Sequence, residues 1–327
     1  MTQVIIVANR FAEVSPRPIE RLKAEGWEVI EQYYEIGALT DDIFVELIKD
    51  ANAVIVSAMD KVTPRVIQAA PNLKIIAARG VGFQGVDLDA ATQNGVMVTN
   101  TPGANAEAVA DLAMGFMITL ARYIPIINRR MRQGEWYRIR TRDVYGQTLG
   151  LVGLGDIGKK VVKRAVGFDM RIITYDIIQY PDFAKQFGVR YVSLEEVLRS
   201  SDFISIHIPL NDATRDLVGK EQIGLMKDSA FLINTARGGI VNEEALYEAL
   251  KEHRIAGAAC DVFAEEPTKN LKLLALDNMI STAHIAGYSD KSWSAMAEMT
   301  VDNVIAALKG EVPPNLVNRD VLNKAKP

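Results

Sequence analysis

Cysteine is almost missing from this chain: Cys260 is the only one in 327 residues. No internal disulfide can form, and the expected compartment is a reducing one, the cytoplasm. Histidine is scarce as well, with His207, His253 and His284 as the full set, and no metal site is expected. Charge of one sign is not in excess. A net charge of −4 gives no reason to expect a nucleic acid or an anionic membrane as partner. Long apolar runs are absent too. The most apolar helical stretch, 104–121, is interrupted by Glu107 and Asp111, which argues against a membrane span. The apolar run at residues 4–7 has no basic residues ahead of it and is too short for a signal peptide. No low-complexity tract or short repeat stands out. What remains is ordinary for a globular protein, 49% hydrophobic and 24% charged, at a length that favours two domains.

The stretch from Gly146 to Asp176 organises the chain. Thr148–Val152 reads as a buried parallel strand, and it stops at Gly153-Leu-Gly155-Asp-Ile-Gly158. A helical pattern follows (Ile157, Val161, Val162, Ala165), then a second apolar run, Met170–Tyr175, that ends on Asp176. Glycines alone mark ordinary turns. Between a strand and a helix, with an acid 23 residues beyond Gly153, they match a dinucleotide-binding turn. Gly153 and Gly155 would let the backbone approach a pyrophosphate, and Gly158 would let helix and strand pack closely. The helix N-terminus offers unpaired N–H groups to the anion. Asp176 would accept hydrogen bonds from the adenosine ribose and repel a 2′-phosphate. Ile177, Ile178 and Gln179 bring no cation to offset that repulsion, so the expected cofactor is NAD rather than NADP.

On either side of this motif strands and helices alternate. Strands are expected at 4–7, 28–31, 53–57, 74–79 and 96–99, with helices at 16–24, 41–51, 64–70 and 88–94 between them. That rhythm implies an α/β protein with doubly wound parallel sheets. Asn100-Thr-Pro-Gly103 breaks the pattern and launches the long helix 104–122. Residues 129–144, with Trp136, Tyr137 and nearby Tyr145, show no clean periodicity and read as an excursion, an arm for oligomer contact. Strands resume at 189–192, 203–208, 230–234, 256–261 and 279–281. A capping box at Ser193–Glu196 opens one helix, and Ser289 caps a long one over 290–309. That last helix returns the chain to the first lobe, giving a discontinuous domain of 1–99 plus 288–327 around a nucleotide domain of 100–287.

Three segments each follow a strand and so lie at the carboxyl edge of a sheet, where open α/β folds bind ligands: Asn234–Gly239, Asp261–Pro267 and Thr282–Gly287. Oxidation of a carbinol by NAD needs a group that exchanges the hydroxyl proton, a role that suits His near neutral pH. It also needs a forked cation for a carboxylate, a role that suits Arg. Arg237, flanked by Gly238 and Gly239, and His284 are the candidates, with a neighbouring carboxylate to orient the imidazole and favour its protonated form. His253 sits in a charged helix and is expected to be solvated. His207 ends a strand near the expected cofactor and is assigned a ribose or nicotinamide contact rather than acid–base work.

Gly80-Val-Gly-Phe83, Val86-Asp87, Val98–Pro102, Gly153–Gly158, Arg237–Val241, Asp261-Val-Phe263 with Glu266-Pro267, and His284 together resemble the D-isomer-specific 2-hydroxyacid dehydrogenase family. The resemblance covers nearly the whole chain. Its wording is most like the phosphoglycerate dehydrogenase and glyoxylate/hydroxypyruvate reductase branches. It implies two lobes, Rossmann-like and flavodoxin-like, with a cleft between them. The implied function is NAD-dependent reversible hydride transfer between NAD(H) and a small 2-hydroxy or 2-keto acid of the 3-phosphoglycerate, glycerate/hydroxypyruvate or glyoxylate class. It implies a catalytic trio of Arg237, Glu266 and His284, with Glu266 holding the imidazole. The Val81-Gly82 backbone would clamp the substrate carboxylate. Asp156 and Ile157 would meet the pyrophosphate, and Thr235, Ala236 and Asp261 the nicotinamide side. A homodimer built on the nucleotide lobe is the expected assembly. Ala283 and Ala286 depart from the family's usual proline and glycine, which predicts a looser loop. Ser57 stands near where phosphate-handling members carry an Arg, Asp60 opposes Lys61, and Arg79 is one residue off the usual place. An unphosphorylated acid should therefore match or beat a phosphorylated one. The alternatives are formate dehydrogenase chemistry, disfavoured by Glu266 where a Gln is usual, and an NAD-sensing, co-repressor-like binding protein on the same fold.

Overall fold

A computed structural model describes residues 1–34, 38–57 and 60–324; Ala58 and Met59, within the Ser57–Lys61 segment, lie outside the described residues. The chain forms two compact units, Met1–Asn105 with Tyr288–Pro327, and Ala106–Gly287. The first crossing thus falls in the loop after the fifth strand.

The first unit runs β1 (Gln3–Ile6), α1 (Arg17–Ala24), β2 (Glu28–Glu31), α2 (Asp41–Ile48), β3 (Ala53–Ser57), α3 (Pro64–Gln68), β4 (Ile75–Arg79), α4 (Leu88–Gln93) and β5 (Met97–Thr99). The strands are parallel in the order β2-β1-β3-β4-β5, a flavodoxin-like doubly wound sheet. Residues 53–56 and all of β4 are buried, because helices cover both faces and no polar alternation can survive there. Helix starts follow the residues that can cap them: Thr40 Oγ1 accepts from Ile43 N at 3.5 Å and Asp87 Oδ1 from Ala90 N at 2.8 Å.

The second unit runs α5 (Ala106–Ala121), α6 (Ile124–Arg132), β6 (Thr148–Val152), α7 (Asp156–Ala165), β7 (Arg171–Tyr175), α8 (Pro181–Phe187), β8 (Arg190–Tyr191), α9 (Leu194–Ser200), β9 (Phe203–Ile206), α10 (Lys220–Leu225), β10 (Phe231–Asn234), α11 (Glu243–Lys251), β11 (Gly257–Cys260), α12 (Leu271–Leu274) and β12 (Met279–Ser281). Its seven parallel strands lie in the order β12-β11-β10-β9-β6-β7-β8. The order reverses between β6 and β9, which makes the crevice at their carboxyl ends the ligand position for such a sheet. Helix α13 (Asp290–Leu308) belongs to the first unit and packs Ala297, Val301, Val304 and Ala307 against its sheet.

Three readings of the sequence change. Residues 129–132 are the end of helix α6 rather than the start of an irregular arm. None of α6's residues is buried, although Ile124, Ile127 and Met131 repeat at helical spacing, and Arg129, Arg130 and Arg132 suit its C-terminal dipole. Helix α8 was not expected, although Pro181 at its first turn and Gly188 at φ +66° beyond its end are ordinary start and stop signals. The Ser193 box is half made: Ser193 Oγ accepts from Glu196 N at 3.1 Å, but Glu196 pairs with Arg190 at 2.9 Å. No single helix among the described residues is long and apolar enough to cross a membrane, and α5 and α6 meet at a 62° bend.

Candidate active site

Strand register builds the site. Ile206, Asn234, Cys260 and Ser281 are partners across β9, β10, β11 and β12, so the residues that follow each emerge side by side at one sheet edge. His207, Thr235–Arg237, Asp261 and Thr282–His284 are those residues.

Glu266 and His284 touch: His284 Nδ1 lies 2.7 Å from Glu266 Oε2. The other carboxylate oxygen accepts from Phe263 N at 2.9 Å. Burial pushes the Glu266 carboxyl up, but the His284 hydrogen bond, the Phe263 N–H and the charges of His284 and Arg237 outweigh it. The net result is a carboxyl below its usual range. An ionised carboxylate can only accept, so Nδ1 carries the hydrogen and Nε2 is left for chemistry. Arg237 loses part of its basicity to burial, partly offset by the Glu266 charge. Its loop is stapled by Asn234, whose Oδ1 accepts from Ala236 N at 3.1 Å and whose Nδ2 donates to Arg237 O at 2.9 Å. Arg237 Nη1 donates to Ala236 O at 2.7 Å. A Cβ on Gly238 would sit 1.9 Å from the Phe263 carbonyl carbon, so only glycine lets the Arg237 loop lie against the loop that carries Glu266.

His284 itself is backbone-strained, at φ +55°. Asp261 is what holds it there. Its fully buried carboxylate accepts from Thr282 Oγ1 (2.5 Å), Ile285 N (2.8 Å) and Ala286 N (2.8 Å), and its carbonyl accepts from His284 N (2.8 Å). The loop expected to be loose for want of a proline at Ala283 is therefore tied on both sides of His284. Asp261 works here as an anchor of that loop, a role sequence reasoning did not assign it. Glu243 was missed in the same way. Its carboxylate takes Ala264 N (2.7 Å) and Asn270 Nδ2 (2.9 Å), fixing the segment around Glu266.

The glycine turn fits a dinucleotide. A Cβ on Gly153, whose φ is +105°, would meet the His207 carbonyl oxygen at 2.6 Å, and one on Gly158 would meet the Gly153 carbonyl oxygen at 2.4 Å. Gly155 faces open space and starts α7 with no side chain capping its N–H groups. Asp156 is exposed beside it and Ile157 half-buried. Asp176 directly follows β7, with Oδ2 accepting from Leu154 N at 2.6 Å and Oδ1 from Ile178 N at 2.9 Å, so it also steadies the turn. Among the described residues, two sealed polar atoms at this edge have no partner, His207 Nδ1 and Thr235 Oγ1. Burial pushes His207 down to about 3, so its ring, bonded through Nε2 to Ser205 Oγ at 2.8 Å, stays neutral at any working pH.

The model for the D-isomer specific 2-hydroxyacid dehydrogenase NAD binding domain matches residues 114–286. A glyoxylate reductase from Korarchaeum cryptofilum is 42% identical over 315 residues, covering 92% of this chain and 95% of that protein. This chain belongs to the D-isomer specific 2-hydroxyacid dehydrogenase family.

A D-3-phosphoglycerate dehydrogenase from Methanocaldococcus jannaschii is likewise 42% identical, over 94% of this chain but only 60% of that protein. The solved D-lactate dehydrogenase of Aquifex aeolicus, a complex with NAD and lactic acid, superposes with a TM-score of 0.83 at 33% identity, covering 97% of this chain and 99% of that one. The family's NAD domain is the second unit described above. Val81 and Gly82 belong to the first unit. They follow β4, where Asn100 Nδ2 donates to Val81 O at 2.8 Å and Gly80 takes φ +145°. Among the described residues, no group of three or more His, Cys, Asp or Glu is placed to hold a metal. Cys260 is buried and pushed up to about 12 by burial, which leaves it inert.

Proposed function

We propose that Arg237, Glu266 and His284 are the catalytic trio of this NAD-dependent D-2-hydroxyacid dehydrogenase. The observation that carries the assignment is the 2.7 Å contact between His284 Nδ1 and Glu266, beside the charge of Arg237. Bound NAD(H) supplies or accepts the hydride. The protein's part is to bind the acid and move one proton. Arg237 forks onto the substrate carboxylate and the oxygen at C2. His284 Nε2 gives a proton to that oxygen in reduction and takes it back in oxidation. Glu266 keeps the ring in one tautomer and supports its positive charge. The backbone of Val81 and Gly82 clamps the carboxylate from the first unit, which serves as the substrate domain.

NAD would rest its pyrophosphate on Gly153–Gly158 with Asp156 and Ile157, and its ribose on Asp176. The orphaned atoms of His207 and Thr235 would find partners towards the nicotinamide, next to Ala236 and the Asp261-held loop. The substrate is a small 2-keto acid, and glyoxylate, hydroxypyruvate and phosphohydroxypyruvate are the first candidates to try. The enzyme works in the cytoplasm as a homodimer through the second unit, where unburied α6 and exposed Trp136 and Tyr145 offer a face. The co-repressor-like alternative is not favoured, since the relatives above are named as reductases and dehydrogenases.

An NADH-oxidation panel of glyoxylate, hydroxypyruvate, phosphohydroxypyruvate, pyruvate and longer 2-keto acids tests the function; turnover of none would refute it. Cofactor choice gives a separate expectation. NADH should exceed NADPH in kcat/KM by orders of magnitude, and Asp176→Ala should narrow that gap by removing the charge that repels a 2′-phosphate. Equal use of both cofactors by the unaltered enzyme would refute the role of Asp176.

A further inference from the structure

Arg79 ends β4 in the first unit and is nearly sealed, 8% exposed. Its guanidinium carbon lies 4.0 Å from the centre of the Trp293 ring, whose other contact is the edge of Tyr288 at 4.5 Å between centroids. Trp293 is itself fixed, with Nε1 donating to Arg10 O at 2.8 Å. Among the described residues Arg79 Nε and Nη1 have no acceptor. Asp60 and Glu13 contribute only at longer range, the Asp60 carboxylate being turned to Ser57 N at 2.7 Å. Among the described residues three buried hydroxyls of the first unit are orphaned too: Thr99 Oγ1, on the strand beside β4, Thr101 Oγ1, in a residue whose N–H bonds Gly80 O at 2.9 Å, and Ser292 Oγ, next to Trp293. Ser292 and Trp293 sit in the opening turns of the 19-residue α13, whose N-terminal end adds partial positive charge.

A sealed cation with unmet donors is costly to keep, and it calls for an anion. The cation stands two residues before Val81, so the two Cα atoms are at most about 7 Å apart. If the Val81-Gly82 backbone clamps one carboxylate, a second acidic group on a four- or five-carbon acid would fall near the strand end that carries Arg79. The nearby negative charge of Asp60 suits a singly charged carboxylate better than a phosphate dianion.

We propose that Arg79, backed by Trp293, is a binding and specificity residue for a second carboxylate, and that the preferred substrates are short 2-oxo dicarboxylic acids. The proposal rests on the dehydrogenase reading and deepens it. A carboxylate set between Arg79 and the orphaned hydroxyls would supply the missing acceptors. No change in Arg237 or His284 is involved, so specificity and proton transfer separate.

The test compares kcat/KM with NADH for oxaloacetate and 2-oxoglutarate against their uncharged counterparts of equal chain length, 2-oxobutyrate and 2-oxovalerate, with phosphohydroxypyruvate as a third arm. The diacids should exceed the matched monoacids by roughly tenfold or more, an effect mainly on KM, and Arg79→Met should collapse that ratio while Arg79→Lys keeps part of it. Succinate should change the tryptophan fluorescence of the wild type, and Trp293→Phe should abolish that signal. A ratio near one, a ratio unchanged in Arg79→Met, or a large preference for the phosphorylated acid would each overturn the proposal. If no 2-oxo acid is turned over at all, the dehydrogenase reading fails. The succinate titration still decides Arg79, since a silent wild type refutes the subsite. Should Arg79→Met not fold, the wild-type ratio and the succinate titration of wild type and Trp293→Phe decide it.

Discussion

Replacing His284 with alanine should lower kcat/KM for 2-keto acid reduction by roughly 10²–10⁴-fold, the usual loss for a missing acid–base group. The expectation follows from geometry. Glu266 occupies Nδ1, so Nε2 is the ring atom left to exchange a proton with the substrate oxygen. NADH affinity, read by fluorescence titration, should barely move, because the glycine turn and Asp176 are built on other strands. A variant within a few-fold of wild type would remove His284 from the proton path.

Arg237→Lys should be damaging as well, though less so, and for a different reason. The charge survives but the fork does not, and an ammonium cannot hold a carboxylate and a C2 oxygen at once. A lost charge-assisted hydrogen bond of about 1.5–3 kcal/mol corresponds to roughly 10- to 150-fold in kcat/KM. Both KM and kcat should suffer, since the contact orients the acid before the reaction and steadies the oxygen during it. Steady-state kinetics on the best substrate of the panel gives the split. A pure KM effect would reduce Arg237 to an anchor.

Much of this site was legible in the sequence because its parts obey local rules. Gly153 and Gly158 are fixed by backbone crowding: the contacts a Cβ would make are with carbonyl oxygens that cannot retreat. Arg237, Glu266 and His284 each follow a strand, and parallel register then delivers them to one edge. What could not be read depends on partners far apart in the chain. Asp261 binds Thr282, Ile285 and Ala286, more than twenty residues on, only because β11 and β12 lie side by side. Arg79 meets Trp293 through the return of α13, and no spacing rule links residues so distant in sequence. Helix α6 carries a short repeat that spacing makes readable, Ile124, Ile127 and Met131, but it is brief, has Pro125 in its first turn and leaves no residue fully buried.

The central claim is that Glu266 tunes and orients His284, and the pH profile of reduction tests it most directly. Reduction requires a protonated imidazole, so kcat/KM should fall as pH rises. Glu266 is ionised throughout that range, because its carboxyl lies below the usual carboxylate values. Glu266→Gln keeps an acceptor for Nδ1–H but removes the negative charge that supports the imidazolium, so the fall should begin at lower pH than in the wild type. Two profiles that share one midpoint would contradict the account.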